Sequence, residues 1–564
     1  MDLELQYYGR SGIVEGPSGR AMRFSPNLAR KRVFFDAELK RPLRFREAIS
    51  ALHDVVIGDL KFKKKDKTAY EEWKKQEALR EKALEQQILK DAKARALEGL
   101  TGKPIPPGLE ARFKKMHRLY WDARIRWANE LSRNDPELFR HLVPCDPVVT
   151  VAPDIVYFEC FSKDESSYGC LSVDRDAFQG SGATSAGLGT TNVDYSIALY
   201  DHFQTLRTYR PTRLAVDPKG FEVKVEGAAE YREEKIDLPS TWLRGFGQIQ
   251  GAMTLPSKKV ELSTDAVYSL LAYLKRHREK TGPRSIRFLL EPGRAVEVAL
   301  DPWDVRITSR GAVYDGPRKE EIKIWGRRRL FSLARLLPIA ERFEVRLLGS
   351  GLPSIWIAHL GEMRMTLALS GWTTNDWTSG TNLELLAGTF RSDPKTSDVC
   401  SRILINEQRA TLEKLSAETN AGRDLVLGSL FRLARQGQVI YDHAASVYRW
   451  REVMPVALSD ALLGPESPEL VAGKEIARAG KVEILRDEDL PNARRLVVAK
   501  ADKTSCETII DADGVFQKAR CTCKHHHTYG LRAGPCRHLL ALRIRAQGEA
   551  AHPTWTERGS ETVQ

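Results

Sequence analysis

Eighteen residues near the end of this 564-residue chain, CTCKHHHTYGLRAGPCRH (521–538), hold three cysteines and four histidines. Cysteine thiolate and imidazole are the donors that soft and borderline metals take. Cys521 and Cys523 are one residue apart, so at the end of a strand their side chains project to one side. Cys536 and His538 share that spacing at the start of a predicted helix, whose N-terminus favours the negative charge of a thiolate. Two such pairs, with a twelve-residue spacer between them, can close a tetrahedron around zinc. Four protein ligands leave no open position for water, so one zinc here is structural and activates no nucleophile. His525, His526 and His527 lie in the spacer as alternative ligands, hydrogen-bond donors or exposed loop residues.

The flanking elements frame this cluster. RRLVVAK and CETIIDADGVFQKAR read as strands, with Asp513-Gly514 as a hairpin turn. Pro535 suits the N-terminus of the helix that runs into HLLAL. With these flanks, the Cys-X-Cys…Cys-X-His pattern resembles the SWIM zinc finger, a ββα module, over residues 470–548. The resemblance implies Cys521, Cys523, Cys536 and His538 as the metal ligands, and a module that engages DNA or proteins. RLARQGQVIYDHAASVYRWREV (432–453) also resembles the segment before the finger in bacterial SWIM-domain proteins encoded beside MoxR-type AAA+ ATPases. Neither likeness extends to residues 1–390. Arg520, Lys524, Arg532 and Arg537 surround the expected metal, either as a phosphate-contacting patch or as solubilising charge.

Upstream, residues 400–455 read as a winged helix. EQRATLEKLSAET and GRDLVLGSLFRLARQG form two helices, the second with Val426, Leu430 and Leu433 on one face and Gly437 closing it. QVIYDHAASVYRWRE then supplies two short strands around a polar turn. The exposed side of the second helix carries Arg423, Arg432 and Arg435, expected to contact phosphate or base edges.

Residues 145–395 read as an α+β body with antiparallel sheet, built from helix-plus-hairpin units about 65 residues apart. Val267, Leu270, Leu271 and Leu274 fall at i, i+3, i+4 and i+7, as do Leu330, Leu333, Ala334 and Leu337. SIRFLLEPGRAVEVAL and FEVRLLGSGLPSIWIA follow as hairpins. Residues 1–144 form a helical N-terminal part, whose Lys/Glu/Ala/Leu-rich stretch from 61 to 132 predicts a long charged helical hairpin broken by TGKPIPPG. That charge is a solvated face or a binding arm. Residues 549–564 are polar and read as a disordered tail.

Composition narrows the function. Eight cysteines, three of them in the cluster, exclude a disulfide scaffold and fit a reducing cytoplasm; Cys145, Cys160, Cys170, Cys400 and Cys506 read as core thiols. No apolar run is long enough to span a membrane, and the start lacks a secretory leader. A net charge of +13 favours polyanionic partners. GSGATSAGLG (180–189) lacks the Lys-Ser/Thr of a P-loop, and no catalytic constellation stands in a convincing context. GWTTNDWTSGTN (371–382) places Trp372 and Trp377 either as stacking platforms or as packing at a turn. The expectation is a multidomain α+β adaptor, not an enzyme. It would bind nucleic acid through the winged helix and finger or, alternatively, serve as a protein adaptor of a AAA+ ATPase.

Overall fold

The computed structural model describes residues 12–16, 19–24, 35–57, 115, 119, 147–162, 164–179, 187–192, 203–204, 206–208, 212–216, 240–255, 257–278, 284–371, 377, 392–453, 468–491, 494–510, 516–531 and 534–549. The chain divides into two compact units, residues 1–4 with 63–144 and residues 5–62 with 145–564. The expected charged hairpin lies in the first unit, where only the helical residues Lys115 and Leu119 are described. The disordered-tail expectation for 549–564 meets the structure only at Glu549, the last residue of a helix; 550–564, Cys145 and most of the 180–189 loop lie outside the described residues. No described helix is long and apolar enough to cross a membrane.

The second unit is a multidomain α+β assembly. Its body centres on an eight-stranded antiparallel sheet in the order Lys258–Leu262, Arg342–Leu347, Ser354–His359, Met363–Leu369, Ser167–Asp174, Ile155–Phe161, Val148–Val151 and Gly189–Asn192. The central strands are buried along nearly their whole length, so both faces of the middle of the sheet are covered. Helix α1 (Pro42–Ile57) packs across the middle of this sheet. A second, four-stranded antiparallel sheet runs in the order Val305–Val313, Ala295–Leu300, Ile286–Leu290, Glu320–Ile324. Two further helices belong to the body, α2 (Ser240–Thr254) and α3 (Thr264–Arg276). The apolar stripe of α3 is buried as its 3.6-residue period demands, from Val267 to Leu274. Trp377 is 2% exposed, so its ring is packed rather than presented as a stacking platform, and Trp372 lies outside the described residues.

The second apolar stripe of the body is corrected by the structure. Arg327–Leu336 is a 3₁₀ helix, and its buried leucines are Leu330, Leu333 and Leu336, three apart, with Ala334 exposed. A three-residue period eclipses side chains on one line, and that geometry replaces the α-helical face read from Leu330, Leu333, Ala334 and Leu337.

Beyond the body, three helices and a three-stranded sheet alternate: α4 (Pro394–Glu407), the short strand Arg409–Ala410, α5 (Leu412–Thr419), α6 (Arg423–Arg435), and the strands Val439–Asp442 and Val447–Trp450. Asp393 caps α4 by accepting the Thr396 N–H at 3.0 Å, with Pro394 following as the first helical residue. Thr411 caps α5 in the same way through Lys414 N–H at 3.2 Å. The sequence reading had no counterpart to α4, whose Cys400 and Leu404 complete the module's core with Leu415, Val426 and Leu430.

The C-terminal module opens with α7 (Pro468–Arg478) and continues as a four-stranded antiparallel meander: Val482–Leu490, Arg494–Ala501, Thr504–Ile510 and Phe516–Cys521. The short helix α8 (Lys524–Tyr529) and the final helix α9 (Arg537–Glu549) complete it. The sheet therefore has one strand beyond the three runs read in the sequence. Val482–Leu490 is an edge strand with most side chains exposed, so its charged run Arg486–Asp489 carries no apolar alternation that would mark a strand. At Gly473 of α7, a Cβ would stand 2.8 Å from the Leu540 Cβ, so only glycine lets α7 and α9 cross this closely.

Candidate metal centre

The strand Phe516–Cys521 ends on Cys521, and Cys523 follows at the N-cap of α8. On the other side, the Cys536 carbonyl accepts the Leu540 N–H, so α9 begins immediately after it and carries His538 on its first turn. Their four donor atoms, three Sγ and one imidazole nitrogen, all lie within 4.8 Å of one another. A tetrahedron with metal–sulfur bonds of about 2.3 Å and a metal–nitrogen bond of about 2.0–2.1 Å has edges of roughly 3.6–3.8 Å. The Cys521 Sγ to His538 Nδ1 separation is 3.7 Å. The donor set and its spacing thus fit a metal ion with four protein ligands.

The surroundings hold these ligands in place. His538 turns Nδ1 toward Cys521, and its Nε2 lies 3.3 Å from the Thr504 hydroxyl. A partner on the far ring nitrogen fixes both tautomer and ring plane. The backbone N–H of His526 donates to Cys523 Sγ at 3.4 Å. Glu469 of α7 accepts the backbone N–H of Arg537 at 2.7 Å and its guanidinium at 2.7 and 3.2 Å, which pins the helix start between Cys536 and His538. With no metal charge beside it, the Cys536 thiol is pushed up to about 12 by the adjacent Cys521 thiol and by burial. Binding a metal therefore means displacing protons, and affinity rises with pH.

His525, His526 and His527 are not part of the four-residue group. The spacer is not wholly a loop, because Lys524–Tyr529 forms α8, ended by Gly530 at φ +58°. Sequence reasoning missed Thr504 and Glu469, and it filed Cys506 with the scattered thiols. Cys506 is indeed buried, yet it stands directly opposite Cys521 in the strand register, with Sγ 4.0 Å from the His538 carbonyl oxygen. Alternation along TSCET puts Thr504 and Cys506 on one face and was the one available signal.

The seven basic residues expected at a nucleic-acid surface are placed unequally. Arg520 and Lys524 are exposed beside the cluster; Arg537 is tied to Glu469, and Arg532 lies outside the described residues. On α6, Arg432 is exposed and Arg423 pairs with Glu413 at 3.3 Å. Arg435 is half-buried against α2: a Cβ built at Gly251 would meet the Phe431 ring at 3.1 Å and the Arg435 side chain at 3.2 Å. Helix α6 is thus buried on two sides, with Val426, Leu427, Leu430 and Leu433 in its own core and Phe431 toward α2. Ion pairs reinforce that contact. Arg449 reaches Asp154 at 2.7 Å and Asp442 at 3.1 Å, Arg409 joins Asp154, and Arg451 meets Glu159 where both are at most 2% exposed.

No protein-family model matches the chain, and no curated protein matches it in sequence. Among solved structures, the proliferating cellular nuclear antigen of Entamoeba histolytica is similar at 13% identity and a TM-score of 0.28, covering 44% of this chain and 93% of that one. The PCNA2–PCNA3 complex of Sulfolobus tokodaii follows at 11% identity and 0.28, covering 42% and 92%. PCNA of Thermococcus kodakaraensis stands at 11% and 0.26, covering 40% and 90%. Likeness at TM-scores this low carries no argument about the fold or the function of this chain.

Proposed function

We propose that the chain is a non-catalytic cytoplasmic adaptor whose C-terminal module is a SWIM-type finger folded around one structural zinc ion and presented to nucleic acid. The observation that carries this reading is the Cys521/Cys523/Cys536/His538 group: a closed, all-protein donor set in a small module, with exposed Arg520 and Lys524 beside it. Bound there, zinc supplies coordination energy that fixes a strand end to a helix start, and no open position for chemistry. The α4–α6 module has the element order of a winged helix. In this reading it is a bracket on the body, because its second helical face and Arg435 are engaged by α2. Phosphate contacts then fall to Arg520 and Lys524, with Arg432 as the exposed residue of α6.

The test is fluorescence anisotropy of the zinc-loaded chain on random duplex and single-stranded DNA across a salt series. Affinity should fall steeply with salt, and Arg520→Glu/Lys524→Glu should weaken binding to both while Arg435→Ala leaves it unchanged. Absence of binding at low salt with zinc verified would sink the nucleic-acid reading. One observation favours a second reading, the protein adaptor of a MoxR-type AAA+ ATPase: the helix that would enter a DNA groove already makes a protein contact. Copurification with such an ATPase, in the absence of DNA affinity, is the outcome that reading expects.

A further inference from the structure

Cys506 is the thiol of the C-terminal module that the metal centre leaves unused. It is 3% exposed, lies in one core cluster with Cys521 and Cys536, and is not among the four donors. On the strand Thr504–Ile510 it stands directly opposite Cys521, the last residue of Phe516–Cys521. Directly opposite residues of an antiparallel pair project to one face. The Thr522 N–H donates to the Ser505 carbonyl at 3.2 Å, so the adjacent pair, Cys506 and Cys521, is a non-hydrogen-bonded one. At such positions the α-carbons of a ladder come to about 4.5 Å, closer than at hydrogen-bonded pairs. A disulfide asks for about 4.4–6.8 Å between α-carbons, so this backbone pairing suits one. His538 marks the same neighbourhood: the Cys521 Sγ lies 3.7 Å from its Nδ1, and the Cys506 Sγ 4.0 Å from its carbonyl oxygen.

The other described thiols outside the donor set have no sulfur across from them. Cys160 faces Gly169, Cys170 faces Glu159 and Thr366, and Cys400 lies on α4. All of these are buried. What distinguishes Cys506 is therefore the second sulfur across the ladder, and that sulfur belongs to a metal ligand.

We propose that Cys506 is the resolving thiol of an oxidation site, at which a peroxide joins Cys521 and Cys506 in a cross-strand disulfide and the zinc is released. The inference rests on the metal reading of the site but on no nucleic-acid contact. Cys521, the less buried of the pair at 8%, attacks the peroxide as its thiolate. The O–O bond breaks, hydroxide leaves, and a sulfenic acid forms on Cys521. The Cys506 sulfur then displaces the sulfenic hydroxyl, and its own proton departs with that hydroxyl as water. Each sulfur gives up one electron, and the two reduce one peroxide. Cys521 no longer offers a thiolate, so the site is left with Cys523, Cys536 and His538 and loses its hold on the metal. The new bond keeps the two strands joined at the place where coordination had joined them to the helix start.

The experiment treats the full zinc-loaded chain with hydrogen peroxide beside a chromophoric zinc chelator, then alkylates free thiols and maps cross-links by peptide mass spectrometry. One zinc should be released per Cys506–Cys521 cross-link, and dithiothreitol with added zinc should reverse both. In Cys506→Ala the sulfenic acid has no resolving partner, and its trapping by dimedone at Cys521 should rise about tenfold or more. Mapping the parent needs no substitution, so it decides the matter even where the variant folds poorly. Cys506 alkylated as a free thiol while zinc is released, or disulfides confined to Cys521, Cys523 and Cys536, overturns the proposal. So does unchanged dimedone labelling in a Cys506→Ala chain that holds its zinc. A parent chain without zinc before peroxide is added refutes the metal reading instead, and its cross-link map still decides the cross-strand pair.

Discussion

The α4–α6 module and the C-terminal module each place basic residues on helices, yet they stand in opposite relations to the rest of the chain. In the first, arginines mostly face inward: Arg449 and Arg451 pair with Asp154 and Glu159 of the body sheet, and Arg435 lies on α2. In the second, the interior is small and apolar, built from Val497, Ala499, Leu539 and Leu542 around the cysteine cluster, while Arg520 and Lys524 point outward. One module is held by its neighbour; the other closes on its own core and carries a Cys3His donor set able to hold a metal. Arginine count alone therefore says little about where a polyanion binds, because the guanidinium is as suited to buried pairing as to phosphate contact.

The largest effect should come from breaking the metal set. Zinc coordination contributes roughly 10–16 kcal/mol to folding in small finger peptides. Cys536→Ala, or a strong chelator, should therefore unfold the C-terminal module while the α4–α6 module stays docked. Hydrogen exchange should show protection lost in the strands from 482 to 521 and retained in α6; loss in both would mean the modules are not independently held. Next comes the buried pair. Arg451→Ala leaves the Glu159 carboxylate buried with only the neutral donors Tyr168 and Gln250 and should cost about 3–5 kcal/mol in urea unfolding of the body. Replacing both as Glu159→Leu/Arg451→Met should recover most of that loss. A double variant no better than the single would contradict the pairing argument.

Acid should loosen the docked module in a defined window. Burial holds His443 down to about 3 in the fold, with Arg346 adding to the effect and Glu344 and Asp442 opposing it. An unfolded histidine takes up its proton below about 6.5. Stability supplied by the neutral ring is thus complete above about 6.5 and lost as pH falls toward 3, at up to ~1.4 kcal/mol per pH unit. His443→Phe should flatten that slope, and an unchanged slope would move the cause to another group. A smaller effect is expected from Thr504→Val, which removes the partner of His538 Nε2 and should lower zinc affinity at least about tenfold in chelator competition. The smallest is Arg423→Ala: its pair with Glu413 is exposed, and unfolding should shift by less than about 1 kcal/mol.

Much of the candidate site could be read in the sequence because its four ligands come as two local pairs whose spacing matches the strand end and helix start that carry them. Its supports could not. Thr504 and Glu469 reach the cluster through sheet register and through the α7–α9 crossing, neither of which short-range periodicity encodes. The same limit hid the docking of α6. Phe431 stands outside the core face of Val426, Leu427, Leu430 and Leu433 and packs toward Gly251 of α2, so the helix is buried on two sides. Read for one face only, that helix looked free. The α3 stripe and the hairpins after it were legible because each repeats a single period over enough residues. The 3₁₀ segment was not, since leucines three apart also satisfy part of a helical pattern.

The most direct measurement is the zinc content of the purified chain by elemental mass spectrometry, alongside Cys536→Ala and Cys506→Ala. Cys506 is a buried thiol of the same module, in register with a ligand but outside the donor set, so it is the sharpest control. The account predicts one zinc per chain in the parent and in Cys506→Ala, and none in Cys536→Ala. Full zinc retained by Cys536→Ala, or zinc lost from Cys506→Ala, would contradict the assignment of Cys521, Cys523, Cys536 and His538 as the metal's ligands.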